Sequence, residues 1–90
     1  MDDYERFLNE QLKDPEFKKE WDASQLEFEI TEMIIAARHE QNLSQKELAA
    51  KSGIRQSNIS RIENGQCVPN LNTLQRIAAG LGKKVQIQFV

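Results

Sequence analysis

The sequence predicts an all-α chain closed by one short β-strand, and three observations carry that expectation. Apolar residues recur at helical spacing through most of the chain, Ser-x-x-Glu helix-start signals stand at 24–27 and 44–47, and apolar/polar alternation marks residues 83–90. Ninety residues are enough for one small core and too few for two.

The first helix is expected where Tyr4, Phe7, Leu8 and Leu12 fall at helical spacing among polar residues. Asp14-Pro15 then reads as an N-cap followed by proline at the first helical position, opening a short second helix that carries Phe17 and Trp21. Residues 24-SQLE-27 form a capping box, with the Ser24 hydroxyl accepting from a free backbone N–H and Glu27 reaching back, so a new helix is expected from there to about residue 42. Along it Leu26, Ile30, Met33, Ile34 and Ala37 share one stripe, while Phe28 and Ile35 fall almost opposite. The wide stripe suits a core. The narrow one requires the N-terminal helices to fold back, or another protein.

A second capping box, 44-SQKE-47, starts a helix through Lys51 that ends at Ser52-Gly53. After Ile54 the next helix covers roughly 56–64 and stops at Asn64-Gly65. Residues 66-QCVPN-70 form a loop, Asn70 caps a helix through about residue 81, and Gly82 closes it. In 83-KKVQIQFV-90 the side chains of Val85, Ile87 and Phe89 share one side, and a strand is expected. Its open edge calls for a second copy of the chain, or for packing on its own helices.

Composition narrows the function classes. The net charge of −2 hides two electrostatic halves: residues 1–32 hold eleven acidic and four basic side chains, whereas residues 33–90 hold three and eight. Cys67 has no second cysteine to pair with, and no Cys/His cluster offers metal-ligand spacing, so neither metal nor cofactor is expected. One histidine, His39, and no paired acids in a Gly-rich pocket argue against an enzyme. The longest apolar run, Met33 to Ala37, is too short to span a bilayer, and the N-terminus is acidic where a signal peptide is basic. A cytoplasmic protein is expected.

The chemistry gathers around Gly53. Leu48, Ala49, Ile54, Ile59 and Ile62 supply apolar contacts between two helices, Ala49 admits a close crossing, and Gly53 permits a sharp bend. An ordinary αα-corner would look the same from these residues. The outer side of the second helix separates the two: with Ile59 and Ile62 turned inward, Gln56, Ser57, Ser60 and Arg61 face out, with Arg55 and Asn58 beside the entry. Gln and Arg side chains pair bidentately with adenine and guanine edges in the major groove. Gln45 and Lys46 stand in the first turn of the preceding helix, where free N–H groups favour phosphate.

Residues 43-LSQKELAAKSGIRQSNISRIENG-65 and 69-PNLNTLQRIAAGLG-82 closely resemble the Cro/C1-type (XRE) helix-turn-helix domain, and the chain end to end resembles the HigA antitoxins. The resemblance implies a lambda-repressor-like domain over residues 25–82, an acidic helical extension over 1–24 and a dimerisation strand over 83–90 carrying Val85, Ile87 and Phe89. It implies base contacts from Gln56, Ser57 and Arg61, a phosphate contact from Gln45, and a backbone-amide contact at Asn64 and Gly65. Arg38 and Glu63 match a buried structural ion pair. One position departs from the pattern: Arg55 stands where Ser or Thr usually caps the helix and cannot accept a bond, so either the helix start is less stable or Arg55 serves phosphate or a base, with phosphate the expected partner.

By the same resemblance, the chain represses its own operon as a homodimer on double-stranded operator DNA and silences a basic RelE/HigB-like mRNA-cleaving toxin. Tyr4, Phe7, Leu8, Leu12, Phe17 and Trp21 are then apolar anchors for that partner in an acidic setting. Phe17 and Trp21 would equally serve to cover the Phe28/Ile35 face of this domain. A stand-alone repressor and an interaction adaptor without DNA binding are the alternative readings.

Overall fold

The computed structural model describes residues 3–90, in which five helices follow one another: α1 (Asp3–Gln11), α2 (Pro15–Glu40), α3 (Gln45–Ser52), α4 (Gln56–Glu63) and α5 (Leu71–Gly80). The core gathers Ile34 of α2, Leu48 and Ala49 of α3, Ile54 of the turn, Ile59 and Ile62 of α4, and Ile77 with Leu81 from α5 and its end. Ile30, Ala37, Leu43 and Leu74 pack around it. Among the described residues none before Ile30 joins this cluster, so α1 and the first half of α2 project from the domain and the molecule measures 44 × 28 × 21 Å.

α2 corrects the expected division into two helices. Asp14 caps it through its carboxylate, which accepts from the Glu16 N–H at 3.0 Å, and Pro15 opens it. The helix then runs without a break to Glu40. The Ser24 hydroxyl does not cap a new start; it donates back to the Trp21 carbonyl at 2.9 Å, three residues earlier. Asp22 and Ala23 supply no breaker, so the preceding turn continues and removes the orphan N–H groups a cap would satisfy. Phe17 and Trp21 therefore cannot fold back over Phe28 and Ile35, because all four lie on one helix. Of the expected core stripe, Ile34 is buried and Ile30 and Ala37 are half-buried, whereas Leu26 and Met33 remain largely exposed.

The second capping box forms as expected. The Ser44 hydroxyl accepts from the Glu47 N–H at 3.0 Å, and the Glu47 carboxylate accepts from the Ser44 N–H at 3.1 Å. These bonds lower the Glu47 pKa. What breaks the chain here is residue 42, which takes a left-handed conformation at φ 55° and lets the backbone re-enter a helix. Gly53, at φ 70°, ends α3, and Asn70 caps α5 through the Thr73 N–H at 2.8 Å. Close approach of α5 to α3 depends on Gly80, since a Cβ there would stand 3.0 Å from the Ser52 backbone nitrogen.

The C-terminal strand does not form. Among the described residues there is no β-strand, and residues 83–90 run without regular hydrogen bonding. Alternation sets which side chains share a face, but a strand also needs a neighbour for its N–H and C=O groups, and a single chain offers none here. The segment instead passes beside α2 and α5, where Val85 borders the clefts lined by Met33 and Leu74. Ile87 and Phe89 remain exposed.

The two Ser-x-x-Glu signals thus have different energetics. Ser44→Ala is expected to destabilise the protein by about 1 kcal/mol. Ser24→Ala, in a helix interior, should leave stability within about 0.5 kcal/mol of the parent. Urea denaturation of both variants checks this; equal losses would mean that a cap does operate at Ser24.

Candidate nucleic-acid interface

α3 and α4 pack at the bend around Gly53. The bend is held from two sides. The buried Ser52 hydroxyl accepts from the Ile54 N–H at 3.3 Å, and Arg76 of α5 donates to the Gly53 carbonyl at 3.3 Å. α4 turns Ile59 and Ile62 inward, leaving Ser57 and Arg61 on the opposite side with Asn64 just past its end; all three are exposed, and Ser60 between them is half-buried. Gln56 and Asn58 flank this face and are exposed, as is Arg55 at its entry. Arg55 gives no side-chain cap, so its guanidinium is not used at the helix start.

The structure therefore brings Arg55, Gln56, Ser57, Asn58, Ser60, Arg61 and Asn64 onto or beside one helix, with Lys46 exposed in the first turn of α3. Gln45 is placed differently. It is half-buried, and its amide nitrogen donates to the Glu63 carboxylate at 3.2 Å, which leaves the Gln45 and Lys46 backbone N–H groups, unbonded within the helix, as the donors available to phosphate. At the other end of α4 the backbone amides of Asn64 and Gly65 donate to the Ser60 and Ile62 carbonyls at 2.9 and 3.1 Å. The side chain of Asn64 is thus the free donor at that position.

Glu63 is the single acid of α4, and it does not face the same side. Its two carboxylate oxygens accept from Arg38 Nε and one terminal guanidinium nitrogen, both at 2.8 Å, a bidentate pair with side chains 5% and 13% exposed. The hydrogen bond to Glu63 raises the Arg38 pKa, with burial acting against it. Arg38 also donates to the Leu43 carbonyl at 2.8 Å. A negative charge that would repel DNA is thereby neutralised, and the outer face retains Arg55 and Arg61 without an opposing acid.

Residues 34–88 match the helix-turn-helix family HTH_3. The chain belongs to the Cro/C1-type helix-turn-helix family. Among relatives of this helix-turn-helix protein, an HTH-type transcriptional regulator of Haemophilus influenzae is 41% identical over 64 residues, covering 71% of this chain and 65% of the relative. Antitoxin HigA1 of Mycobacterium tuberculosis is 32% identical over 87 residues, covering 96% of this chain and 58% of the relative. The chain thus spans less than two thirds of the length of these curated relatives. A solved toxin-antitoxin module from Streptococcus pneumoniae superposes with a TM-score of 0.65 at 36% identity, over 81% of this chain and 80% of that one.

Two supports of the helix-turn-helix escaped sequence reasoning. The Thr31 hydroxyl donates to the Ile62 carbonyl at 3.3 Å, fastening α2 to the end of α4, and Arg76 pins the Gly53 turn. Both join residues distant in the chain, and neither belongs to a local pattern.

Removing one partner of the buried pair leaves the other charge without compensation. Arg38→Ala is expected to cost about 3–5 kcal/mol in chemical denaturation. A loss under about 1 kcal/mol would place the pair among exposed ones.

Proposed function

We propose that this protein is the antitoxin of a type II toxin-antitoxin pair. It binds operator DNA as a homodimer through α3 and α4, represses its own operon, and neutralises a basic RelE/HigB-like mRNA-cleaving toxin through the acidic extension. The observation that carries this reading is the extent of the likeness to Antitoxin HigA1, which runs over 87 residues and so includes the extension as well as the DNA-binding domain. A helix-turn-helix alone would not require that half of the chain.

In this reading Gln56, Ser57 and Arg61 address base edges, while Lys46, Arg55, Asn58, Ser60 and Asn64 address the sugar-phosphate backbone together with the N–H groups of α3's first turn. Pairing residues 83–90 with a twofold mate would satisfy their open backbone, bury Ile87 and Phe89, and set two α4 helices one DNA turn apart, about 34 Å. Tyr4, Phe7, Leu8, Leu12, Phe17 and Trp21 lie on the projecting helices and the turn between them, where Tyr4 and Phe7 are exposed and Phe17 stacks on Trp21 with ring centroids 6.3 Å apart. Such anchors in an acidic surround suit a basic protein. A stand-alone repressor is the second reading, favoured by the 41% identity to a transcriptional regulator over 64 residues, a shorter match than the one to Antitoxin HigA1.

Co-expression with the protein encoded by the adjacent reading frame separates the two: the antitoxin forms a stable complex and restores growth, the repressor does neither. For the DNA site, Gln56→Ala with Arg61→Ala is expected to weaken operator binding by about 2–6 kcal/mol while circular dichroism stays unchanged. Retained affinity in a gel shift would turn the reading toward an adaptor. Operator affinity should also fall steeply with salt as Lys46 and Arg55 displace counterions, and a flat log–log plot would contradict the phosphate contacts.

A further inference from the structure

The unbroken course of α2 has an effect on its surface that two separate helices would not produce. Phe17, Trp21, Phe28 and Ile35 fall within an arc of about 40°, forming one apolar row about 27 Å long. From Trp21 onward the spacing is heptad, the repeat that lets a second helix follow the first. The row starts on the projecting extension and ends on the helix-turn-helix domain. It misses the core: Phe28 is 56% exposed, and no member of the row belongs to the core cluster.

Beside Phe28 the row opens into a groove between α2 and the chain that leaves α4. Thr31, Asn64, Gly65, Cys67 and Val68 line it with Phe28, and Val68 is 51% exposed. The Thr31 hydroxyl bonded to the Ile62 carbonyl holds the two walls together, so the groove is fixed by the fold. Farther along, Ile35 sits in a shallow depression with Ala36 and His39. Glu20 and Glu27 border the row on one side and Glu32 on the other, all three exposed.

We propose that this row and groove are a docking surface for an amphipathic helix of a basic protein, with one apolar side chain of that helix seated against Phe28 and Val68. The proposal rests on the antitoxin reading and extends its partner surface from residues 1–24 onto the DNA-binding domain. The acidic border selects the occupant. A second copy of this chain pairing through the same row would set Glu20, Glu27 and Glu32 against like charges, whereas basic side chains flanking an apolar anchor would meet them with opposite charge. The chain's own C-terminal segment lies elsewhere on α2, where it borders a cleft with Leu26, Ile30 and Met33.

The test uses the full chain and the basic toxin encoded by the adjacent reading frame. By calorimetry, Phe28→Glu should weaken toxin binding at least tenfold while operator affinity and melting temperature stay near those of the parent. Cys67, the single cysteine, reports on the groove independently: its alkylation by N-ethylmaleimide, followed by mass spectrometry, should slow at least tenfold in the wild-type complex, whatever the folding of the variant. Parent-like toxin affinity of Phe28→Glu, or equal labelling of Cys67 in free and bound chain, overturns the proposal. Should Trp21→Glu then still weaken binding, contact through the extension stands and the groove alone is lost. Absence of any complex with the wild-type chain removes the antitoxin reading and this surface with it.

Discussion

The buried Arg38–Glu63 pair is the contact on which the rest of the arrangement depends. One guanidinium reaches three elements: it grips the carboxylate near the end of α4, it holds the Leu43 carbonyl before α3 begins, and its own residue belongs to the last turns of α2. Gln45 joins the same carboxylate from α3. Three helices thus meet at one ion pair, and the helix that presents Ser57 and Arg61 takes its position from it. Such a pair is weak evidence for net stability, because desolvation opposes attraction. Its physical effect is positional, since this placement of α4 brings the Glu63 carboxylate within hydrogen-bond reach of Arg38 and Gln45 together.

Charge is divided to match. The acidic half is drawn out along α1 and the first half of α2, away from the core, while the basic half carries the exposed polar face of α4. Of the three acids in the basic half, Glu63, the one on α4, has its charge neutralised inside the domain. Two surfaces of opposite charge are thereby kept apart on one small chain. The continuous α2 links them as a single stiff element, fastened to α4 at Thr31 and Arg38.

What the sequence made legible was local. The Ser44 box, the Asn70 cap, the left-handed Gly53 and the inward Ile59 and Ile62 all depend on residues within one or two turns, and each stands as read. The same four-residue pattern failed at Ser24, because a capping box states that a helix can start and says nothing of whether the previous one has stopped. At 41–43 a left-handed residue stops it; at 22–23 nothing does. Alternation at 83–90 likewise fixed a face and could not supply a pairing strand. The contacts of Thr31, Arg76 and Gln45 join residues far apart in the chain, where neither spacing nor propensity leaves a trace. Even the Arg38–Glu63 pair was visible through family resemblance and not through spacing.

A double-mutant cycle on Arg38 and Glu63 tests that pair most directly. Arg38→Met, Glu63→Met and the double variant are compared by urea denaturation at one pH. If the pair positions α4 from a dry site, the single changes are each costly, the double change recovers much of the loss, and the coupling energy is about 3 kcal/mol. A coupling energy within about 0.5 kcal/mol of zero would show that the two charges act independently, and would contradict the account.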